Sequence, residues 1–168
     1  MLFRSGTDVY YTESRPAEGG RVALMRRSPG RAPEEVTGPG VNVRTGVHEY
    51  GGGAYAVRGG VVVHADFADQ RLYRLERGAA PVAITPEPPA PRSLRYADGA
   101  FSPDGRWMVW VRERHSDDGI DNELVRLPVD GSAAPVVIAS GHDFYSTPRF
   151  SPDGTRLDRK STRLNSSH

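Results

Sequence analysis

A histidine, a glutamate and a tyrosine stand directly before three glycines, in the run His48-Glu49-Tyr50-Gly-Gly-Gly53. An imidazole beside a carboxylate can bind a charged ligand or move a proton, so these three side chains are candidates for a ligand path. The glycines allow a structural interpretation as well, because glycines within strands mark a bulge or a close approach between backbones. Both interpretations stay open, and the structural one is favoured.

The remaining histidines do not form a recognisable reactive group. His64, His115 and His142 come from different parts of the sequence, and no pair of them has the spacing of metal ligands. The sequence has no cysteine and no Gly-x-Ser-x-Gly motif, so it offers neither a thiolate nor the serine elbow of a hydrolase. We therefore predict no metal, no cofactor and no catalytic residue within these 168 residues.

Two aspartates that could act as acids lie in a repeated phrase. Phe-Ser-Pro-Asp-Gly occurs at Phe101–Gly105 and again, 49 residues later, at Phe150–Gly154. In a tight turn, proline presets φ, aspartate binds the nearby backbone and glycine accepts a left-handed conformation. The phrase therefore predicts two scaffold turns rather than two catalytic acids, and their residues are Pro103, Asp104, Gly105, Pro152, Asp153 and Gly154.

The spacing of the phrase predicts stacked units of about 50 residues. Short apolar strands recur at that spacing, each followed by a polar turn and a further strand. The first set is Val22–Met25, Leu72–Leu75 and Leu124–Leu127, and the second is Glu35–Thr37, Val82–Thr85 and Val136–Ala139. The alternation in Trp107–Arg112 predicts a strand with one well-buried face, and we expect Phe101, Trp107, Trp110 and Phe150 to pack between units.

The fold class follows from these strands. No stretch keeps apolar residues at the three- and four-residue steps of a helix, and the chain contains 19 glycines and 14 prolines. Four short strands per period are typical of a propeller blade. We therefore predict an all-β chain, namely a partial β-propeller with about three blades of four antiparallel strands and the start of a fourth.

Charge and hydropathy exclude several classes of partner. The chain has 22 basic and 21 acidic residues, and their mixing, as in Arg112-Glu-Arg114, predicts solvated strand faces rather than a nucleic-acid surface. The apolar runs, such as Val61–Val63, are far too short to span a membrane. We expect no nucleic-acid and no membrane partner. The expected location is the cytoplasm, with export as the alternative if the true amino terminus lies upstream of Met1.

The last eleven residues differ from the rest of the chain. The only lysine, Lys160, is found there, and overlay of the two repeats places Asp158, Arg159 and Lys160 opposite Val109, Trp110 and Val111. We therefore expect the strand to stop at Leu157. Residues Asp158–His168 resemble translated sequencing-adapter read-through, so we predict a non-native tail at 158–168.

Four segments in a fixed order resemble a known family. They are Tyr10–Arg21, with Arg-Pro-Ala-Glu-Gly-Gly-Arg, Val47–Tyr55, with His-Glu-Tyr-Gly-Gly-Gly, and Phe101–Gly105 and Asp143–Gly154, which carry the repeated phrase. Residues 1–157 resemble the amino-terminal propeller of prolyl oligopeptidase family serine peptidases, in the branch of dipeptidyl aminopeptidases and acylaminoacyl peptidases. The phrase alone is shared with TolB-type propellers, whereas the first two motifs are more specific.

The resemblance implies a domain organisation and a function. Residues 1–157 would be an incomplete amino-terminal propeller that filters short peptides for an α/β-hydrolase domain of the same chain, and that catalytic domain is expected to be absent here. Without the catalytic triad, these residues should be inactive by themselves. The alternative is a stand-alone binding propeller of the TolB or lactonase-like kind with no hydrolase domain.

Overall fold

The computed structural model describes residues 2–163, which are nearly all β. These residues form 14 strands and one short 3-10 helix, η1 (Pro16–Glu18), and contain no α-helix. No described helix is long and apolar enough to cross a membrane. Met1 and residues 164–168, the end of the predicted tail, lie outside this description.

The strands form three four-stranded antiparallel sheets, each built in chain order, and one two-stranded sheet. Blade 1 contains β1 (Leu2–Ser5), β2 (Asp8–Arg15), β3 (Arg21–Arg27) and β4 (Glu34–Glu35). Blade 2 contains β5 (Tyr55–Arg58), β6 (Val61–Ala65), β7 (Leu72–Leu75) and β8 (Val82–Ala83). Blade 3 contains β9 (Leu94–Phe101), β10 (Trp107–Ser116), β11 (Gly119–Pro128) and β12 (Val136–Ser140). The terminal hairpin contains β13 (Phe144–Phe150) and β14 (Leu157–Thr162). The prediction of three blades and the start of a fourth is confirmed.

The antiparallel order gives each blade two distinct ends. Connections after the first and third strands of a blade lie at one end, which we call the turn end. Connections after the second strand, and the segments that lead to the next blade, lie at the other, which we call the crossover end. The first strands of successive blades, β5, β9 and β13, lie next to one another, so the crossover segments converge.

The repeated phrase forms the same tight turn twice at the turn end. Gly105 N donates to Ser102 O, and Gly154 N donates to Ser151 O, both at 2.9 Å. Both glycines have φ of 73°, in the left-handed region that glycine tolerates. The two copies of the turn thus have the same backbone hydrogen bond and the same glycine φ. This is expected when each residue of the turn meets a local backbone requirement.

Blade 3 is buried on both faces of its second strand. Met108 and Trp110 pack with Ala56 and Val63 of blade 2, whereas Val109 and Val111 pack with Tyr145 of the terminal hairpin. The prediction of a single buried face in Trp107–Arg112 is therefore wrong. A blade between two others has a neighbour on each face, so both sets of alternating side chains are removed from water.

The aromatic side chains of the repeat pack within and between the units. Trp110 is fully buried, Phe101 packs against the same cluster, and Phe150 packs against the cluster of the terminal hairpin. Trp107 is half-buried, and the guanidinium of Arg126 lies 4.6 Å from the centre of its ring.

The terminal hairpin repeats the register of blade 3. Phe101 pairs with Met108 as Phe150 pairs with Leu157, and both hairpins contain a bulge. The strand continues past Leu157 to Thr162, so the prediction that it stops there is wrong. Backbone pairing does not require apolar side chains, and Asp158–Thr162 are all exposed.

Candidate functional site

An open cleft of about 580 Å³ lies at the crossover end, between blade 3 and the crossover segments on either side. It is formed by the segment before blade 2, the hairpin that joins β10 to β11, and the segment between β12 and β13. The residues around it are His48–Tyr50, Glu113, Ile120–Asn122 and Gly141–Phe144. The three residues singled out as a ligand path thus line a cleft together.

His48 is bound to blade 3 through a buried carboxylate. Its backbone N–H donates to Glu113 Oε1 at 2.6 Å, and its Nδ1 lies 2.8 Å from the same oxygen. The backbone here is unusual, because His48 and Glu49 have φ of 54° and 58°. Residues with a Cβ adopt this conformation at a cost, so tertiary contacts must hold it.

Glu49 and Tyr50 differ from His48 in their contacts, because Glu49 binds Arg95 and Tyr50 is exposed. Glu49 Oε1 lies 2.5 Å from Arg95 Nη1, and this hydrogen bond lowers the pKa of the Glu49 carboxyl. The same guanidinium donates to Gly46 O at 2.8 Å. Tyr50 is 97% exposed. The segment is thus fixed by its backbone and by Glu49, while the tyrosine ring projects into solvent at the mouth of the cleft.

The three glycines after Tyr50 support a close approach between backbones. Gly53 N donates to Asp98 Oδ1 at 2.7 Å, and Asp98 N donates to Gly53 O at 2.8 Å. A Cβ on Gly52 would lie 3.0 Å from Ala97 Cβ, and Gly51 has φ of 81°. The glycines therefore join blade 2 to blade 3, as the structural interpretation of this motif requires.

Glu113 is a member of the cleft that the sequence did not reveal. The mixture of charges in Arg112-Glu-Arg114 predicted a solvated face, but Glu113 is only 3% exposed, so that prediction is wrong at this position. Its Oε2 lies 3.2 Å from His115 Nε2 and 4.0 Å from Arg95 Nη1. A buried carboxylate needs partners of opposite charge or hydrogen-bond donors, and His48, from 65 residues upstream, supplies two of them.

The other face of the same strand carries a second buried pair. Arg112 Nη2 lies 2.6 Å from Glu123 Oε2, directly across β10 and β11, and both side chains are largely buried. Arg114 binds Asp121 at 2.5 Å at the more exposed end of this ladder. The charges of blade 3 are therefore paired across strands instead of standing free in solvent.

The remaining histidines are separate from one another. His64 is buried beside Tyr73 in blade 2, and burial lowers its pKa. His142 Nδ1 lies 3.1 Å from the hydroxyl of Tyr145. Among residues 2–163 there is no cluster of three or more His, Asp or Glu side chains that could hold a metal ion.

The aspartates of the repeated phrase lie at the turn end, away from the cleft. The hydroxyl of Ser102 and the backbone N–H of Arg106 bind Asp104 and lower its pKa to about 2. Ser151 and Thr155 bind Asp153 in the same way and also lower its pKa. These contacts keep both carboxylates ionised and bound to their own turns.

The side chains around the cleft suit it to binding a ligand. Its imidazoles are bound to Glu113 or face Phe144 and Tyr145, and no serine lines it. The chemistry available is recognition by aromatic, apolar and acceptor groups.

Comparison with solved structures relates the chain to one group of enzymes. A puromycin-hydrolysing peptidase of Mycobacterium tuberculosis is 35% identical over 96% of this chain, with a TM-score of 0.88. A puromycin hydrolase is 31% identical over the same share, with a TM-score of 0.87. The chain spans 27% of the length of each of these proteins.

A more distant likeness extends to another propeller. A protein described as a 6-phosphogluconolactonase from Bacteroides uniformis matches 95% of the chain at 15% identity, with a TM-score of 0.52, and the chain spans 48% of it. This likeness shows the fold alone. No protein-family model matches the chain, and no curated protein matches it.

Proposed function

Because the chain belongs to the propeller part of the prolyl oligopeptidase family, of which the puromycin-hydrolysing peptidases are members, we propose that it serves a serine-type peptidase acting on short peptides. In this proposal the propeller admits and orients the peptide, and an α/β-hydrolase domain of the same protein cleaves it. The observation that carries the proposal is identity of 31–35% together with TM-scores of 0.87–0.88 over 96% of the chain.

The alternative, a stand-alone binding propeller, has weaker support. The lactonase likeness rests on a shared architecture at 15% identity, and propellers of one architecture serve many unrelated functions. Sequence identity above 30% across the same residues ties the chain to peptidases more closely than the fold does.

We further propose that the cleft at the crossover end belongs to the peptide path. Its support is the convergence of His48, Glu49 and Tyr50 with the segments that lead into blade 3 and the terminal hairpin. At the turn end, the Asp104 and Asp153 carboxylates of the repeated phrase are bound within their own turns, so they are not free to bind a peptide.

A chimeric enzyme tests the proposed function. Residues 1–157 replace the matching segment of the M. tuberculosis peptidase, and puromycin hydrolysis is measured. A control chimera carries the matching segment of the Bacteroides protein, which shares the fold but little sequence. We expect hydrolysis from the first chimera only. A first chimera that melts cooperatively yet hydrolyses nothing would contradict the proposal.

The domain boundary is also a proposal, in which residues 1–157 are propeller and 158–168 are a non-native tail. The exposure of Asp158, Arg159 and Lys160, where blade 3 has the buried apolar residues Val109, Trp110 and Val111, supports it. Long-read sequencing of the source locus past the codon for Leu157 tests it. We expect further blades and then a Gly-x-Ser-x-Gly motif; the codons for Asp158–His168 followed by a stop would overturn it.

A further inference from the structure

The chain contains five Asp-Gly pairs, and each is a potential site of self-modification. The amide nitrogen of such a glycine can attack Cγ of the preceding aspartate, because glycine has no side chain to hinder the approach. The aspartates of the five pairs are Asp98, Asp104, Asp118, Asp130 and Asp153. The structure places them in different surroundings, so the pairs differ in how freely this attack can occur.

Four of the five carboxylates are held by hydrogen bonds. The donors are Gly53 N and Thr147 N to Asp98, Ser102 Oγ to Asp104, Ser132 N to Asp130 and Ser151 Oγ to Asp153. Asp118 is exposed, and its carboxylate forms no hydrogen bond or ion pair with any other residue between 2 and 163. This carboxylate can turn toward the next amide without giving up a partner.

The glycine after Asp118 also has space that the other four lack. The nearest neighbours of a Cβ added to each of those four would be Trp110 at Gly99, Arg58 at Gly105, Ile84 at Gly131 and Pro103 at Gly154. At Gly119, no atom lies within 4 Å of that position. The attack requires the peptide plane between aspartate and glycine to rotate, and close packing opposes this rotation.

Ionisation protects three of the bound carboxylates further. The side-chain hydroxyl leaves as water during the attack, so the protonated carboxyl is the reactive form. Hydrogen bonds from neighbouring serines lower the pKa of Asp104 to about 2 and also lower the pKa values of Asp130 and Asp153. A lower pKa leaves less of the protonated form at a given pH, so these three residues should react more slowly.

We propose that the chain modifies itself at Asp118, which isomerises to isoaspartate, while the contacts of the other four Asp-Gly pairs protect them. Gly119 N forms a bond to Asp118 Cγ, and the side-chain hydroxyl leaves as water with the amide proton. Water then reopens the succinimide ring. Cleavage of the new N–Cγ bond restores aspartate, whereas cleavage of the original peptide bond leaves the main chain running through the side chain. This proposal goes beyond the proposed function and does not depend on it.

Isoaspartate at this position changes one wall of the cleft. Ser116 pairs with Gly119 across the turn, which leaves Asp117 and Asp118 as the loop of the hairpin. Loop length sets the register of a hairpin, and isoaspartate lengthens the main chain of this loop by a carbon atom. Ile120–Asn122, which follow the turn, line the cleft. The modification should therefore loosen the pairing at the tip of the hairpin and shift these residues.

Peptide mapping of the aged chain tests the site. The purified chain is incubated in warm, mildly acidic buffer and digested with trypsin, and isoaspartate is assigned by electron-transfer fragmentation. The tryptic peptide 115–126 carries Asp118. We expect isoaspartate to accumulate there about tenfold faster than at any other Asp-Gly pair, because a bound carboxylate must first give up a hydrogen bond. No isoaspartate at Asp118, or an equal rate at another pair, would overturn the proposal.

The same measurement on the unfolded chain separates structure from local sequence. In concentrated guanidinium chloride all five pairs lose their folded contacts, so their rates of isomerisation should become similar. If the preference for Asp118 persisted in the unfolded chain, local sequence would set the rate, and the protective role assigned to the contacts would be wrong.

Two variants test the identity of the reacting residue. Asp118→Glu keeps the negative charge but requires a larger and less favourable ring, so the peptide 115–126 should show no isomerised form. Asp117→Glu, the matched control in the same loop, should isomerise at the wild-type rate. Isomerisation that survives Asp118→Glu, or that stops in Asp117→Glu, would contradict the assignment.

A third variant tests the protection of a bound carboxylate. Ser151→Ala removes the hydroxyl that donates to Asp153 at 2.5 Å. The rate of isomerisation at Asp153 should rise several-fold, and the rate at Asp118 should not change. An unchanged rate at Asp153 would show that this hydrogen bond does not protect it.

Amide spectra of the ¹⁵N-labelled chain test the effect on the hairpin. The signals of His115 and Ile120, which pair next to the turn, should shift in the aged wild type and not in Asp118→Glu aged for the same time. Identical spectra, in a sample that contains isoaspartate by peptide mapping, would contradict the predicted change in the cleft wall.

Discussion

Blade 3 and the terminal hairpin share a backbone conformation, but their side chains differ in burial. Each has the Ser-Pro-Asp-Gly turn, and each has a bulge with a left-handed residue, Asp98 at φ 56° and Thr147 at φ 53°. Opposite the bulge, blade 3 places Trp110, fully buried, whereas the hairpin places Arg159, exposed. The turn and the bulge are therefore local, and burial depends on what packs against each face.

The bulge also shows how neighbouring blades are linked. The carboxylate of Asp98 accepts N–H groups from Gly53, before blade 2, and from Thr147, in the hairpin, at 2.7 and 3.3 Å. The side chain of Thr147 is exposed. The same left-handed residue thus joins blades in one unit and only bends the strand in the next.

The residues opposite the two bulges give the largest expected contrast. Trp110→Ala should lower the free energy of unfolding by about 3–5 kcal/mol, because it leaves a large cavity in the main core. Arg159→Ala, at the equivalent position, should change it by less than about 0.5 kcal/mol. Guanidinium chloride titrations followed by circular dichroism measure both. Similar losses for the two variants would break the distinction between the regions.

The left-handed residues should respond to glycine in opposite directions. Asp98→Gly should destabilise the chain by about 1–2 kcal/mol, because two N–H groups lose their acceptor and this exceeds the relief of backbone strain. Thr147→Gly removes a β-branched residue from the same conformation and should stabilise by up to about 1 kcal/mol. The same denaturant titration checks both signs, and two changes of equal sign would contradict the assigned role of Asp98.

Substitutions in the two Ser-Pro-Asp-Gly turns should have the smallest effect on stability, and the two regions should respond alike. The folded-state pKa of Asp104 is lowered from 3.8 to about 2, so its contribution to stability is present above pH 4 and is lost as the pH falls from about 4 to 2. Asp104→Asn should therefore flatten the fall in melting temperature across that range. Asp153→Asn should act in the same direction, since its pKa is also lowered. A parallel pH dependence in wild type and Asp104→Asn would refute the assignment.

The sequence predicted the features that depend on local pattern. The repeated phrase indicated both turns, and apolar runs located β3, β7 and β11. Burial on both faces of β10 was not predicted, because alternation within a strand does not report how many neighbours it has. Continuation of β14 past Leu157 was not predicted either, because the strand pairs there through backbone groups while its side chains are exposed and polar.

The site was only partly predictable. The run His48-Glu49-Tyr50 was found from its residue types, but the left-handed backbone at two residues other than glycine or asparagine has no local signature. Glu113 was missed because its partner lies 65 residues away in the sequence. The register of β10 and β11 around the turn at Asp117–Asp118 would have revealed its neighbours, since it sets Glu113 opposite Asn122.

The central proposal is that the cleft at the crossover end of the propeller, which His48, Glu49 and Tyr50 line, belongs to the peptide path of a peptidase. Its most direct test is the steady-state kinetics of Tyr50→Ala in the peptidase chimera, with paired peptide substrates that carry phenylalanine or alanine. We predict about a tenfold rise in KM for the phenylalanine substrate, with kcat unchanged and the alanine substrate unaffected. An unchanged KM for both substrates would contradict the claim.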